Sequence, residues 1–420
     1  MRMSQLWTKT SKTAPSDEVS KNAQLLIRAG FVYKEMAGVY AYLPLGVRVL
    51  ERIKQIIRQE MAALGSQEIA MTTLQHKDVW QTTGRWDDQL VDIWFKTQLK
   101  DGTAVGLGWS HEEPIVQMLR QFVHSYKDMP ISVYQIQTKL RNELRAKSGI
   151  MRGREFIMKD MYSFHTCKED LDAYYQRVIA AYQRCYDRLG IGQDTYVTFA
   201  SGGAFTQFSH EFQTVCSAGE DYIYLHRPTH TAINEEVLAQ ATRQLGISQH
   251  ELERVKTAEV GNIFNFGRQK TDDMGLYVTD QQGQRQSIFM GSYGIGVSRV
   301  MGVIVEKFAD EKGLVWPAAV APYTFQMVAI GQEGSALADQ LYDEMTAAGV
   351  AVLYDDRAER PGVKFADAEL MGAPWRLVIS DRALKSDGLF ELVERSTGEI
   401  RRLPLAPLRE FMHQQRQLDS

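Results

Sequence analysis

Two separate stretches of the sequence combine arginines with glycines or an aromatic ring, a combination suited to a phosphorylated ligand. The first is QTKLRNELRAKSGIMRGREFIMKDMYSF, two strand-like runs joined by a Lys-Ser-Gly turn. Charges buried in a sheet are costly unless a charged ligand meets them. A polyanion with an aromatic ring would use arginines on phosphate, a glutamate on an amino group and a phenyl ring for stacking. The alternative is a solvated basic hairpin. The residues concerned are Arg141, Glu143, Arg145, Lys147, Arg152, Arg154, Phe156 and Lys159.

The second stretch, MGSYGIGVSRVMGVIVE, places Gly294, Gly296 and Arg299 just ahead of an apolar run. A dinucleotide-binding loop would need a third glycine where Arg299 stands, and a parallel βαβ unit around it. Neither condition is met. Glycines that let the backbone come close, beside a permanently charged guanidinium, suit a phosphate equally well. The alternative is tight strand-to-helix packing with Arg299 on the surface.

Bulk composition excludes several classes of protein. The 420 residues are 44% apolar and 24% charged, with a net charge of −4, so an RNA partner would need a local basic surface. Three cysteines without a C-x-x-C pair predict neither zinc nor disulfides. No Ser-His-Asp or metal-ligand signature is present. The polar N-terminal segment lacks the apolar core of a secretory signal and no run is long enough to span a membrane, so we expect a cytoplasmic protein.

The elements that must position these residues form an antiparallel sheet flanked by helices. Apolar residues from Val49 to Leu64 share one helical face, and Gly65 can end that helix. Asp101-Gly102 between two strand-like runs predicts a hairpin. Thr166 and Glu169 are spaced as a capping box ahead of a long amphipathic helix. Strands and helices alternate here without a βαβ rhythm, which predicts an α+β fold.

The order in which strand-like and helical segments follow each other changes between about residues 313 and 323, where we place a domain boundary. Beyond it, TFQMVAI, SALADQLYDEMTAAG, VAVLYDD, GVKFADAELMG and PWRLVIS alternate between strand and helix, and LFELVERSTGEIRRL reads as a hairpin. The sequence therefore predicts two domains, 1–316 and 317–420, the second a small α/β domain with a mixed sheet.

Three motifs in order resemble the class II aminoacyl-tRNA synthetases. LRNE…MRGREF is similar to motif 2 of that family, GSYGIGVSR to motif 3, and GVYAYLPLGVRVLERIKQIIRQEM, with Pro44, to motif 1. Five further stretches resemble the sequence of the bacterial type of prolyl-tRNA synthetase: SHEE, RGREFIMKDMYSFH, SHEFQ, EVGNIF and DDRAERPGVKFADAELMGAP. The likeness runs from about Ser11 to Leu403.

The resemblance implies ATP with Mg²⁺ as cosubstrate and assigns roles to the residues above. Arg141 would contact the α-phosphate and the attacking carboxylate, Glu143 the adenine amino group, and Phe156 the adenine face. Arg299 would lie on the other face or on the γ-phosphate. Arg152 joins the expected ATP site, and Glu259 is expected to contact ATP or the metal. An ordinary exposed glutamate is the alternative for Glu259.

The resemblance also places proline and tRNA on this chain. Ser110 and Glu112 in GWSHEEP would hold the amino group of proline, and His210 in SHEF would wall its ring. Ser110 stands where threonine is usual, which preserves the hydroxyl. GGAFTQFSHEF replaces a glycine- and serine-rich turn, so that the segment from Phe205 to Phe208 either reshapes the pocket or packs outside it. Candidate contacts to tRNA(Pro) are Arg145, Lys147, Arg357, Arg360 and Lys364, for which a solvated charged loop is the alternative.

Residues 222–257 are too few for the editing domain that many bacterial relatives insert at this position, so we expect no correction of alanine in cis. A homodimer formed through motif 1 follows from the resemblance alone. Two other functions stay open: a synthetase for threonine or serine, and a silent relative that binds tRNA or an amino acid for regulation. The joint presence of Arg141, Glu143, Phe156 and Arg299 argues against the silent relative.

Overall fold

A computed structural model describes residues 1–201, 208–229 and 231–415 of the chain. The helices are α1 Lys21–Arg28, α2 Pro44–Ala63, α3 Lys77–Gln81, α4 Glu112–Leu119, α5 Lys168–Arg188, α6 Leu238–Leu245, α7 Gln269–Asp273, α8 Val297–Phe308, α9 Gln332–Ala347, α10 Pro361–Met371, α11 Asp381–Lys385 and α12 Leu405–Gln414. The strands are β1 Val32–Met36, β2 Val39–Tyr42, β3 Gln67–Glu68, β4 Leu74–His76, β5 Lys96–Gln98, β6 Ala104–Leu107, β7 Ile131–Leu140, β8 Glu155–His165, β9 Thr195–Ser201, β10 Phe208–Val215, β11 Asp221–His226, β12 Thr231–Asn234, β13 Glu253–Gly267, β14 Tyr277–Thr279, β15 Arg285–Ser287, β16 Phe289–Gly296, β17 Phe325–Ile330, β18 Val352–Asp355, β19 Trp375–Ser380, β20 Leu389–Glu394 and β21 Ile400–Pro404.

The chain divides into two compact units. The larger unit comprises residues 36–39 and 54–303, and the smaller unit comprises residues 1–35, 40–53 and 304–420. The smaller unit therefore includes N-terminal segments as well as the C-terminal region. In it the amino group of Met1 donates to the carbonyl of Val352 at 2.8 Å, and Arg2 forms a parallel bridge with Tyr354.

A nine-stranded sheet in the order β10-β9-β12-β11-β13-β16-β8-β7-β3 dominates the larger unit. Its central pairings, β13 with β16, β16 with β8 and β8 with β7, are all antiparallel. Buried tyrosines of α5 pack against one face, with Tyr182 and Tyr186 both in contact with Phe212 of β10. The predicted α+β fold with a helix-flanked antiparallel sheet is confirmed.

Local predictions in the larger unit are mostly confirmed. Helix α2 ends at Ala63, and Gly65 follows it with φ +77°. Strands β5 and β6 form the hairpin around Gly102, whose φ is +87°. The capping box was wrong: Cys167, not Thr166, is the N-cap of α5, and no side chain caps that helix end.

The smaller unit contains a five-stranded mixed sheet in the order β18-β17-β19-β20-β21. The first three strands are parallel, while β20 and β21 form the predicted antiparallel hairpin. Leu341 of α9 and Leu408 of α12 pack with Phe325 and Leu377 into one apolar core. Within the described residues, no helix combines the length and apolar character that a membrane crossing requires.

Candidate active site

One cleft in the larger unit, of about 550 Å³, brings the two arginine-containing stretches together. Glycines of β13 and β16 contribute to its lining: Gly261, Gly294 and Gly296. The charged and aromatic residues predicted for the ATP site all line it: Arg141, Glu143, Arg152, Phe156, Glu259 and Arg299. Residues far apart in sequence therefore line one cleft.

Strand register explains why glycines are needed here. Gly294 lies opposite Asn262 on β13, and Gly296 lies opposite Met158 on β8. A Cβ atom at Gly294 would come within 2.9 Å of Asn262 Oδ1, and one at Gly296 within 3.1 Å of Arg299 Cβ. Because Gly294 and Gly296 have no side chains, this part of the cleft stays open and there is room for the side chain of Arg299.

Arg141 follows β7 and is held by its backbone, which donates to the carbonyl of Arg154 at 2.8 Å. Its guanidinium carbon lies 5.1 Å from the centre of the Phe156 ring. Burial and the nearby Arg299 lower its pKa, while Glu259 opposes that shift. Its Nε donates to the carbonyl of Trp109 at 3.4 Å, but no carboxylate of the described residues forms an ion pair with Arg141, so no internal carboxylate neutralises its charge in the cleft.

Arg299 lies in the first turn of α8 and reaches back over the sheet. Its Nε donates to the carbonyl of Met151 at 2.7 Å, and its Nη1 donates to the carbonyl of Glu259 at 2.8 Å. The Glu259 carboxylate is 3.4 Å from the same Nη1. These contacts fix the direction of the guanidinium before any ligand binds, as preorganised stabilisation of a developing charge requires.

Arg152 links the motif 2 turn to the start of β11. Its two terminal nitrogens donate to Glu143 at 3.0 Å and to Glu220 at 2.8 Å. Arg145 and Lys147 are both exposed, and Lys147 lies 3.4 Å from Glu220. Glu143, predicted to bind the adenine amino group, thus also has an arginine partner.

Of the residues predicted for the amino acid, Arg141 lines this cleft, whereas Ser110, Glu112 and His210 do not. Ser110 and Glu112 are buried, and Ser292 donates to Glu112 at 3.3 Å. Burial alone would raise the pKa of Glu112, but Arg85 and Lys270 outweigh it and the pKa falls to about 2. His210, on β10, forms a 2.8 Å hydrogen bond with the Tyr175 hydroxyl.

Carboxylates also gather on the β13 side of the cleft. Glu211 accepts from Gln213 at 2.8 Å and from Asn234 at 2.9 Å. Burial, followed by repulsion from Glu259 and Asp221, raises the pKa of Glu211 to about 8. Within the described part of the chain, no group of three or more His, Cys, Asp or Glu side chains has the arrangement of a metal site.

Several functional features escaped the sequence reasoning. Arg85, buried against Trp109, pairs with Glu113 at 2.9 Å and orients the helix that begins at Glu112. A charged residue within an aromatic-rich segment was the available signal. Lys159, grouped with the charges that would meet a ligand, instead points at α5 and donates to the Tyr182 hydroxyl and, at 3.1 Å, to the carbonyl of Tyr293. The segment from Phe205 to Phe208 lies outside the described residues apart from the backbone of Phe208.

In the smaller unit, the predicted RNA contacts differ in accessibility. Arg360 is exposed at the start of α10. Arg357 pairs with Asp355 at 2.6 Å and with Asp367 at 2.8 Å. Lys364 is buried, and its amine donates to the carbonyls of Ala329 at 2.9 Å and Asp355 at 3.1 Å. The structure therefore supports a structural role for Lys364 rather than a phosphate contact.

Comparison with known proteins agrees with this architecture. Residues 94–308 match the tRNA synthetase class II core domain (G, H, P, S and T), and residues 319–415 match an anticodon binding domain. The proline--tRNA ligase of Phenylobacterium zucineum (strain HLK1) is 38% identical over 435 residues, covering 96% of this chain and 98% of the relative. That of Rhodospirillum rubrum is 36% identical over 436 residues, with 96% and 98% covered. Such alignments leave no room for a large inserted domain.

Solved structures share the fold at low sequence identity. The prolyl-tRNA synthetase of Giardia lamblia in complex with prolyl-adenylate superimposes with a TM-score of 0.76 at 18% identity, covering 94% of this chain and 79% of that one. The Cryptosporidium parvum enzyme with halofuginone and AMPPNP gives a TM-score of 0.77 at 16% identity, covering 94% and 78%. On its sequence and its fold, this chain belongs to the class II aminoacyl-tRNA synthetases, within the family of the proline--tRNA ligases.

Proposed function

We propose that the chain is a proline--tRNA ligase that activates proline with ATP and transfers it to the 3′ end of tRNA(Pro). The observation that carries this proposal is the position of Arg141 and Arg299 in one cleft, with Phe156 beside them. A triphosphate and an aromatic base match that pair of cations and that ring.

In the first step, a carboxylate oxygen of proline attacks the α-phosphorus of ATP. The new P–O bond forms as the bond to the bridging oxygen breaks, and diphosphate leaves with its electron pair. No protein nucleophile is needed, because alignment and charge neutralisation supply most of the acceleration. Arg141 would stabilise the α-phosphate and the incoming carboxylate, and Arg299 the nucleotide. Mg²⁺ would enter with ATP, and Glu259, a carboxylate that lines the cleft, would contact it.

In the second step, a terminal hydroxyl of tRNA attacks the carbonyl carbon of the adenylate and AMP leaves. Arg145, exposed on the motif 2 turn, and the neighbouring Lys147 would meet the acceptor end. Arg360, with Arg357 beside it, is the candidate for anticodon contacts. We assign catalysis to 1–316 and anticodon binding to 317–420, in a cytoplasmic homodimer.

Proline selection would rest on Ser110, Glu112 and His210. Glu112 stays ionised because its pKa is low, so it can pair with the ammonium group of the amino acid. Alanine lacks a small apolar part of the proline ring, and each missing methylene costs only about 1–3 kcal/mol of binding. With 222–257 forming small elements only, we expect alanine to be activated and not removed in cis.

ATP–diphosphate exchange with proline, alanine, threonine and serine in parallel tests the proposal. Proline should give the highest kcat/KM, with weaker exchange on alanine. Faster exchange with threonine or serine would assign another substrate to the same cleft. Binding of tRNA without exchange on any of the four would favour a regulatory relative.

A further inference from the structure

The loop that carries the proposed proline contacts leads from β6 into the first turn of α4, which begins at Glu112. The candidate contacts to the amino group, Ser110 and Glu112, are 7% and 3% exposed, and their neighbours His111 and Glu113 are 0% exposed. Glu113 is held by Lys270, whose Nζ lies 2.7 Å from Oε1. Arg85 lies 3.4 Å from Glu112, and Gln75 donates to the carbonyl of Ser110 at 2.8 Å, so His111 is one of several residues that hold this loop.

His111 is attached to the central sheet by two charged residues of β7 and β8. Lys139 Nζ lies 2.7 Å from His111 Nδ1 and 2.9 Å from Asp160 Oδ1. Lys139 is 0% exposed and Asp160 is 4% exposed. Asp160 also accepts from Gln135 at 2.9 Å and from the Tyr162 hydroxyl at 2.8 Å. Every member of this group is thereby bonded in place.

The geometry determines the tautomer of His111. An ammonium group has donors only, so Nδ1 must accept and the ring proton must be on Nε2. Nε2 lies 2.9 Å from the carbonyl of Thr72, which can accept that proton. Burial and then Lys139 lower the pKa of His111 to about 4, so the ring is neutral near pH 7.

We propose that Lys139 is a positioning residue for amino acid activation, acting through His111 on Ser110 and Glu112. This inference rests on the proposed function, because it takes those two side chains as the contacts to the amino group. Lys159, on the neighbouring strand β8, is the residue to compare with Lys139. It is also 0% exposed, but it points to the opposite face of the sheet and contacts α5. Of these two lysines, Lys139 contacts the loop and Lys159 does not.

The decisive variant is Lys139→Met, compared with Lys159→Met as a matched removal of a buried lysine. The groups around His111 are Lys139, Asp160 and Tyr162 from the sheet and Glu112 from its own helix. Without the ammonium, no donor joins Nδ1 to Asp160, which lies 3.9 Å away. Displacement of the loop by about 1 Å should raise the KM for proline roughly 10- to 100-fold and leave the KM for ATP unchanged.

A proton can replace the missing ammonium between Nδ1 and Asp160. The KM of Lys139→Met for proline should therefore fall toward the wild-type value as the pH is lowered from 8 to 5.5. Wild type and Lys159→Met should show no such dependence, and a loss of fold alone would not produce it. If Lys139→Met does not fold, Lys139→Met with Asp160→Asn removes the uncompensated carboxylate. That double variant should keep the raised KM without the pH dependence.

The outcomes separate this inference from the proposed function. Suppose that wild type catalyses exchange with proline, and that folded Lys139→Met or the double variant has an unchanged KM for proline. This result would overturn the positioning role of Lys139 and leave the proposed function intact. Equal effects on the KM for proline and the KM for ATP would also overturn the positioning role. Absence of proline-dependent exchange in wild type would instead overturn the proposed function.

Discussion

Replacing Arg141 with alanine should remove nearly all adenylate formation while leaving the fold intact. The side chain has no ion-pair partner among the described residues, so its removal leaves no buried carboxylate behind. We therefore expect the free energy of unfolding to change by less than about 1 kcal/mol. Arg85 provides the contrast, because its loss would leave Glu113 short of a charge partner in a buried site, which costs about 3–5 kcal/mol.

The kinetic cost follows from where the charge acts. A preorganised donor aimed at a developing oxyanion contributes about 2.7–4 kcal/mol, or roughly 10²–10³ in kcat. Because Arg141 forms no ion pair with a carboxylate of the described residues, we expect a loss of kcat at the upper end of that range.

The assay is ATP–diphosphate exchange with proline, with thermal unfolding measured on the same preparation. Arg254→Ala is the control, since that exposed arginine lies on Tyr222 and pairs with Glu235, away from the cleft. It should retain full exchange. Exchange by folded Arg141→Ala within a few-fold of wild type would refute the role of the guanidinium.

Three further predictions concern the surroundings of the cleft. Gly296→Ala should displace Arg299 and raise the KM for ATP about tenfold, or ~1.4 kcal/mol, with little change in the melting temperature; an unchanged KM would show that Arg299 does not bind the nucleotide. Glu211 has a raised pKa, so its stabilising contribution is complete below the unfolded pKa and is lost as the pH rises toward 8. Glu211→Gln should therefore lose less stability than wild type between pH 5 and 8.5 in thermal melts, and parallel melting curves would contradict this. The purified chain should form alanyl-tRNA slowly and fail to hydrolyse it, so a steady deacylation rate would contradict the absence of editing.

The sequence predicted the members of the cleft better than their partners. Arg141, Phe156 and Arg299 were identifiable because glycines, arginines and a ring occur together at strand ends, where a ligand can be met. The pairing of Arg152 with both Glu143 and Glu220 was not identifiable. That contact depends on β11 lying beside β13, a long-range pairing that residue types do not encode.

Lys139 and Lys159 also show that residue types alone do not predict the contacts of a side chain. Both lie within strand-like runs, and both are fully buried. Successive side chains of a strand point to opposite faces. Lys159 and Asp160 therefore separate, one toward α5 and the other toward Lys139. A helix covers one face of this sheet, and the site lies on the face that this helix leaves uncovered. The sequence of a single strand does not show which face that is. The start of α5 at Cys167 depends similarly on tertiary context, since an isolated capping signal at Thr166 was available and was not used.

A crystal structure with a non-hydrolysable prolyl-adenylate analogue measures the shared role of the two arginines directly. The α-phosphate should lie within hydrogen-bonding distance of the Arg141 guanidinium, with the adenine between Phe156 and Arg299 and the prolyl ammonium on Glu112. An analogue bound elsewhere, or bound without contact to Arg141, would contradict the assignment of this cleft to amino acid activation.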